Sequence, residues 1–301
     1  MGPGEFYANN FMPLALFTKT VLSRVDIRKA TRKVFVRGQD DPIISEGGRD
    51  TSSLSTDTLT FLVDEIKKLD PRCSTDIRSG EINSILAVLV ANLERLETLQ
   101  ISYVTDYMTS LLDMFDTGMD QPYFSKLTST DLELVCVDAD PAMEVIYSDR
   151  ILPLLALPRL QHFWVNRCLS DSAYHPEEGI LPKTMNFSSI SLVHSCMDRM
   201  TLTKIILASR RLKVFTYSVS VDIIENLENT DPINTEELIE ALSCHAETLN
   251  EAHISMKERS RARAESVERP TTFESFVPLR NLRYLDIEQA AITSVIKDAA
   301  D

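Results

Sequence analysis

The chain has 301 residues, of which 31 are basic and 45 acidic, for a net charge of −14. That balance excludes a broad basic face for nucleic acid or for anionic membrane, and favours a neutral or basic protein partner. The longest wholly apolar run, Ile85 to Ala91, is far too short to span a bilayer. No basic segment followed by an apolar one opens the chain, so a secretory signal is not expected. Five cysteines, an odd number without a C-x-x-C pair, predict reduced thiols and a cytosolic or nuclear setting.

Residues 1–6, Met-Gly-Pro-Gly-Glu-Phe, read as an expression-vector remnant and are left out of the expected fold. Pro13 to Leu22 predicts a short helix, and Arg32-Lys33-Val34-Phe35-Val36-Arg37 a strand. Residues 38–57 lose the apolar pattern and predict a flexible insert rich in Asp, Ser, Thr and Gly. Leu59, Leu62, Val63 and Ile66 are helically spaced, with Asp57 or Thr58 as the expected cap. Ser79 to Leu93, Thr201 to Ser209 and Thr235 to Leu242 show the same periodicity. A second polar stretch, 257–272, interleaves Arg and Glu and predicts another flexible insert.

Between these helical stretches one phrase recurs: an apolar residue, two positions of any kind, then two apolar residues separated by one. It reads Leu96-Glu-Thr-Leu99-Gln-Ile101, and again Leu160-Gln-His-Phe163-Trp-Val165. It returns at Phe187 to Leu192, Leu212 to Tyr217, Leu249 to Ile254 and Leu282 to Ile287, and a further copy is placed at Leu132 to Val137. Strand centres are expected near Val34, Leu99, Val135, Phe163, Ile190, Phe215, Ala252 and Leu285, in units of about 25–37 residues. Repeated strand, helical crossover and strand predict an α/β leucine-rich-repeat solenoid, a horseshoe with a parallel concave sheet and outer helices. Residues 7–301 are expected to form one such domain.

The opening Pro13-Leu-Ala-Leu-Phe-Thr-Lys-Thr-Val-Leu-Ser-Arg-Val-Asp26, the Leu-x-x-Leu-x-x-Leu-x-Ile phrases at Leu157 to Val165 and Leu279 to Ile287, and the long unequal repeats resemble the leucine-rich-repeat region of fungal F-box-like proteins. The resemblance covers most of the chain. It implies a non-enzymatic interaction scaffold that recognises substrates for a ubiquitin ligase. No F-box segment is visible, so a ubiquitin-ligase adaptor is an expected partner only if one lies upstream of Tyr7.

In each strand the two spaced apolar residues should enter the core, and their neighbours should face out on the concave side. The outward set is Phe35, Arg37, Gln100, Asp138, His162, Trp164, Asn166, Thr216, Ser218, Glu251, His253, Tyr284 and Asp286. These are the candidate binding residues. Trp164 is the chain's single tryptophan, flanked by polar groups as interface anchors are; the bland alternative is an indole packed beneath a loop. Cys168 falls where a small side chain packs against turn backbone, and a structural role is expected there. Cys244 beside His245 hints at a nucleophile and base, but adjacent helical residues diverge. Asp138 and Asp140 lack a third carboxylate at loop spacing, and the five histidines lack ligand spacing, so no metal is expected. No phosphate-cradling glycine loop occurs, and no cofactor is expected.

Two other classes of function compete with the scaffold. One is an enzyme or small-molecule binder using His162, Trp164, Asn166, Thr216 and His253 on the concave face. The other is an assembly role, with the acidic insert docking a basic partner.

Overall fold

The computed structural model describes residues 5–7, 11–37, 54–69, 82–102, 124–133, 145–170, 180–219, 235–255 and 276–287. They form an α/β protein of parallel strands and helices, in two compact units, residues 1–139 and 140–301.

In the first unit α1 (Phe11–Ser23) and α2 (Val25–Ala30) precede β2 (Lys33–Arg37), and α3 (Thr56–Leu69) and α4 (Ile82–Ala91) precede β3 (Thr98–Ser102). A short β1 (Glu5–Tyr7) pairs in parallel with β2, so part of the segment that composition assigns to a vector remnant joins the sheet. Its Glu5 and Phe6 stand opposite Phe35 and Val36. β3 then pairs in parallel with β2 and with β4 (Ser129–Glu133).

The fourth strand corrects the sequence expectation. Its centre is Asp131, four residues before Val135, and the phrase it carries is Leu127-x-x-Thr130-x-Leu132. All three of these residues are buried, and the register sets Thr130 opposite Leu99 and Leu132 opposite Ile101. A threonine at a core position hides the true phrase, and Leu132-x-x-Val135-x-Val137 imitates it five residues later. Val135, Cys136, Asp138 and Asp140 lie outside the described residues.

Helix α3 begins earlier than expected. Ser55 caps it, with Oγ accepting the Thr58 amide at 3.3 Å, and Leu54 is buried. The expected flexible insert therefore stops short of residue 54; the rest of it, and all of 257–272, lie outside the described residues. Leu62, Val63 and Ile66 form the buried stripe of α3, while the acidic Asp57 and the basic Lys67 and Lys68 complement the helix ends.

The second unit holds a parallel sheet of β6 (His162–Asn166), β8 (Ser189–Val193), β9 (Val214–Ser218), β10 (Glu251–Ser255) and β11 (Tyr284–Ile287). Helices α5 (Ser148–Leu155), α6 (Arg199–Ala208) and α7 (Thr235–Ser243) accompany it. Asp198 caps α6, its Oδ1 accepting the Thr201 amide at 2.9 Å.

The phrase has a backbone counterpart. The residue just before a strand offers one carbonyl to the two amides that enter the next strand. Arg32 receives Glu97 and Thr98, and Glu97 receives Thr128 and Ser129. In the second unit Gln161 receives Ser188 and Ser189, Ser188 receives Lys213 and Val214, Lys213 receives Asn250 and Glu251, and Asn250 receives Arg283 and Tyr284. This shared bond fixes the register, so every phrase delivers its apolar pair to the same face.

A short second ladder follows the sheet. β5 (Ile146–Tyr147) pairs in parallel with β7 (Cys168–Leu169), and Leu169 bridges Cys196. The chain turns into it at Arg167 and His194, both left-handed (φ 63° and 46°) and 27 residues apart in equivalent places. Ser195 Oγ accepts the Cys168 amide at 2.9 Å and donates to the Val193 carbonyl, joining the two turns.

Candidate functional site

The outward face of the second unit's sheet follows directly from the alternation. Phe163 and Val165, Ile190 and Leu192, Phe215 and Tyr217, and Ala252 and Ile254 are buried. The residues between them stay partly or fully accessible. Trp164 is therefore on the outward side, half-buried by its neighbours, and the expected register of β6 holds.

Pairing aligns these residues in rows across the strands. The central row runs Trp164, Ser191, Thr216, His253, Asp286. At the usual strand separation it spans about 19 Å. A second row runs His162, Ser189, Val214, Glu251, Tyr284. Asn166 stands opposite Val193, and Ser218 opposite Ser255, one pleat further on. The expected residues Trp164, Thr216, His253 and Asp286 are thus brought into one line, with His162, Glu251 and Tyr284 alongside. Ser191 completes the central row, although a small serine gives no binding signal in a sequence.

The row is most elaborated where β10 meets β11. The His253 ring lies 4.9 Å from the Tyr284 ring, tilted by 38°, and its Nδ1 is 3.5 Å from Asp286 Oδ2. The Asp286 side chain is 66% exposed. Both contacts of His253 run toward β11, away from Thr216, so hydroxyl, imidazole and carboxylate are ordered along the row without a relay from Thr216. The arrangement offers an aromatic plate at Trp164, hydroxyls at Ser191 and Thr216, and an acidic, aromatic end at His253, Tyr284, Asp286 and Glu251. It suits hydrogen bonding and the reception of a cationic side chain.

β11 departs from the alternation in one respect. Leu285, opposite Ala252, is 36% exposed, and Ile287 is half-buried. β11 pairs with β10 on one side, and among the described residues nothing packs fully over its inner face. Glu288 lies outside them.

In the first unit the corresponding row is Phe35, Gln100, Asp131, and beside it Arg37, Ser102, Glu133. Glu133 holds the place expected of Asp138, and Asp131 that of Cys136, following the shift of β4. Ser102 Oγ donates to the Glu133 carboxylate.

Cys168 and Cys196 are fully buried, and Cys244 is exposed. Burial, reinforced by the Asp149 carboxylate, pushes the Cys168 thiol far above its ordinary range, as fits a packing role. His245 is buried with both ring nitrogens engaged. Nε2 donates to the Ile206 carbonyl at 2.9 Å, which leaves Nδ1 to accept the Leu212 amide at 3.4 Å and the Lys183 ammonium at 3.3 Å. It fastens turns from successive strand–helix units and does not face Cys244 as a base. No group of three or more His, Cys, Asp or Glu that could hold a metal ion occurs among the described residues, and no helix among them is long and apolar enough to cross a membrane.

No protein-family model matches this chain, and no curated protein matches it.

Proposed function

We propose that this chain is a leucine-rich-repeat array of the F-box-like kind and a non-enzymatic scaffold for protein recognition. Its partner docks on the outward sheet face, and in the context of that family the partner is a substrate marked for ubiquitin-dependent degradation. The observation that carries the reading is the central row. Trp164, Ser191, Thr216, His253 and Asp286 come from strands far apart in sequence, yet the register sets them side by side. A rigid sheet bearing an aromatic anchor among polar groups is how a repeat protein presents a binding surface. The shared-carbonyl bonds, which recur at the same place ahead of six of the strands, support the repeat assignment.

The substrate-receptor role is tested in cells. The native full-length chain should co-purify with a ubiquitin-ligase adaptor and with a second protein whose half-life lengthens when the gene is deleted. Recovery of neither, with unchanged protein half-lives, refutes it and leaves at most a scaffold of another kind.

A further inference from the structure

The central row of the second unit has anchors at its two ends and small side chains between them. At one end the Trp164 indole is half-buried beside Ser191, which is too small to cover it. In the middle, Ser191 and Thr216 leave a low floor, and neither hydroxyl has a hydrogen-bond partner among the described residues. At the other end Tyr284, 52% exposed, stands against His253, with the exposed carboxylates of Asp286 and Glu251 beside them. The two rows, Trp164 to Asp286 and His162 to Tyr284, carry these two carboxylates and neither lysine nor arginine.

Two anchors of opposite kind, about 19 Å apart across four strand spacings, act as a ruler. An extended peptide advances about 3.3 Å per residue and turns alternate side chains to the same side, so residues six apart face the sheet together about 20 Å from each other. The acidic, aromatic end complements arginine in particular. A planar guanidinium stacks on the Tyr284 ring while donating to a carboxylate, and an ammonium has no flat face with which to do both. The floor suits a peptide main chain, which carries an acceptor at every residue for the hydroxyls below it.

We propose that this face reads an extended segment of its partner, with an apolar side chain on Trp164 and an arginine six residues away at Tyr284 and Asp286. The segment crosses the strands over Ser191 and Thr216, whose hydroxyls donate to its carbonyls. The proposal rests on the reading of this face as the docking surface, and it adds what docks there: a linear signal and not a folded domain.

Titration of the full chain with serine–glycine peptides carrying one leucine and one arginine tests it, in both chain orders and at spacings of two, six and ten residues. Emission of Trp164, the chain's single tryptophan, reports occupancy in the wild type, and anisotropy of labelled peptide reports it in the variants. The six-residue spacing should bind about fivefold more tightly than the other two, as expected when a second, solvent-accessible anchor is engaged. Replacing the peptide's arginine by glutamine should cost the wild type about fivefold, and Asp286→Asn/Glu251→Gln less than about twofold. Both substitutions are isosteric at exposed positions, so this comparison decides even if Trp164→Ala does not fold. Equal affinity at the three spacings, no binding by any peptide, or an arginine effect that persists in the carboxylate variant overturns the proposal. Beside such a failure, a captured protein that is lost from Trp164→Ala keeps the face as a docking surface for a folded domain, whereas capture indifferent to Trp164 removes the docking reading itself.

Discussion

His245 illustrates how a single buried side chain couples stability to pH. Burial, opposed in part by the Ile206 carbonyl and reinforced by the Lys183 charge, holds its pKa below the ordinary 6.5. The unfolded chain therefore takes up this proton at a higher pH than the folded one. Its contribution is intact above about 6.5 and is lost as the pH falls from there toward the folded value. The melting temperature should drop between roughly pH 7.5 and pH 5.5, and His245→Gln should flatten that slope while costing about 1–3 kcal/mol at neutral pH through its unpaired neighbours. An unchanged slope in the variant would show that other groups carry it. At the same scale, Trp164 and Phe163 are adjacent but belong to opposite faces. Urea unfolding of Phe163→Ala should lose about 3–5 kcal/mol, with Trp164→Ala losing distinctly less because its indole already meets solvent. The reverse order would place the indole in the core and move the register of β6 by one residue.

At the scale of elements, β4 is the informative case. The sequence places strands near Val34, Leu99, Phe163, Ile190, Phe215, Ala252 and Leu285, and the parallel strands form around those residues, because a period-two apolar pair after a leucine leaves one face to bury. The fourth strand was not legible in the same way. Its core position is Thr130, which is buried with Oγ1 lacking a hydrogen-bond partner, and no apolar pattern marks it. Thr130→Val keeps the shape and removes that hydroxyl, so it should raise stability by roughly 1–2 kcal/mol in urea unfolding. A loss of similar size would mean that the hydroxyl is partnered and that the phrase begins elsewhere. Caps were equally hard to read: Ser55 and Asp198 act through backbone amides three residues ahead, and several Ser, Thr and Asp near each start compete for the role. Within the candidate site, alternation alone was enough to mark Trp164, Thr216, His253 and Asp286. Their alignment, and the inclusion of Ser191, required the register, which depends on hydrogen bonds between strands far apart in sequence.

At the scale of the whole molecule, both units carry parallel strands in which one face is buried and the other displays polar and aromatic side chains in rows. The strongly negative net charge, with Glu251 and Asp286 on the second unit's rows, favours a partner presenting lysine or arginine. Association should accordingly weaken as salt rises. The central claim is that this outward face, and not the helical side, does the binding. It is tested most directly by quantitative affinity capture with three folded baits: the wild type, the face variant Trp164→Ala/His253→Ala/Asp286→Ala, and a control altered on the exposed side of α7, Glu236→Ala/Glu240→Ala. A protein enriched by the wild type and by the control, and lost from the face variant, is the predicted result. The same proteins retained on all three baits, or lost only from the α7 control, would contradict it.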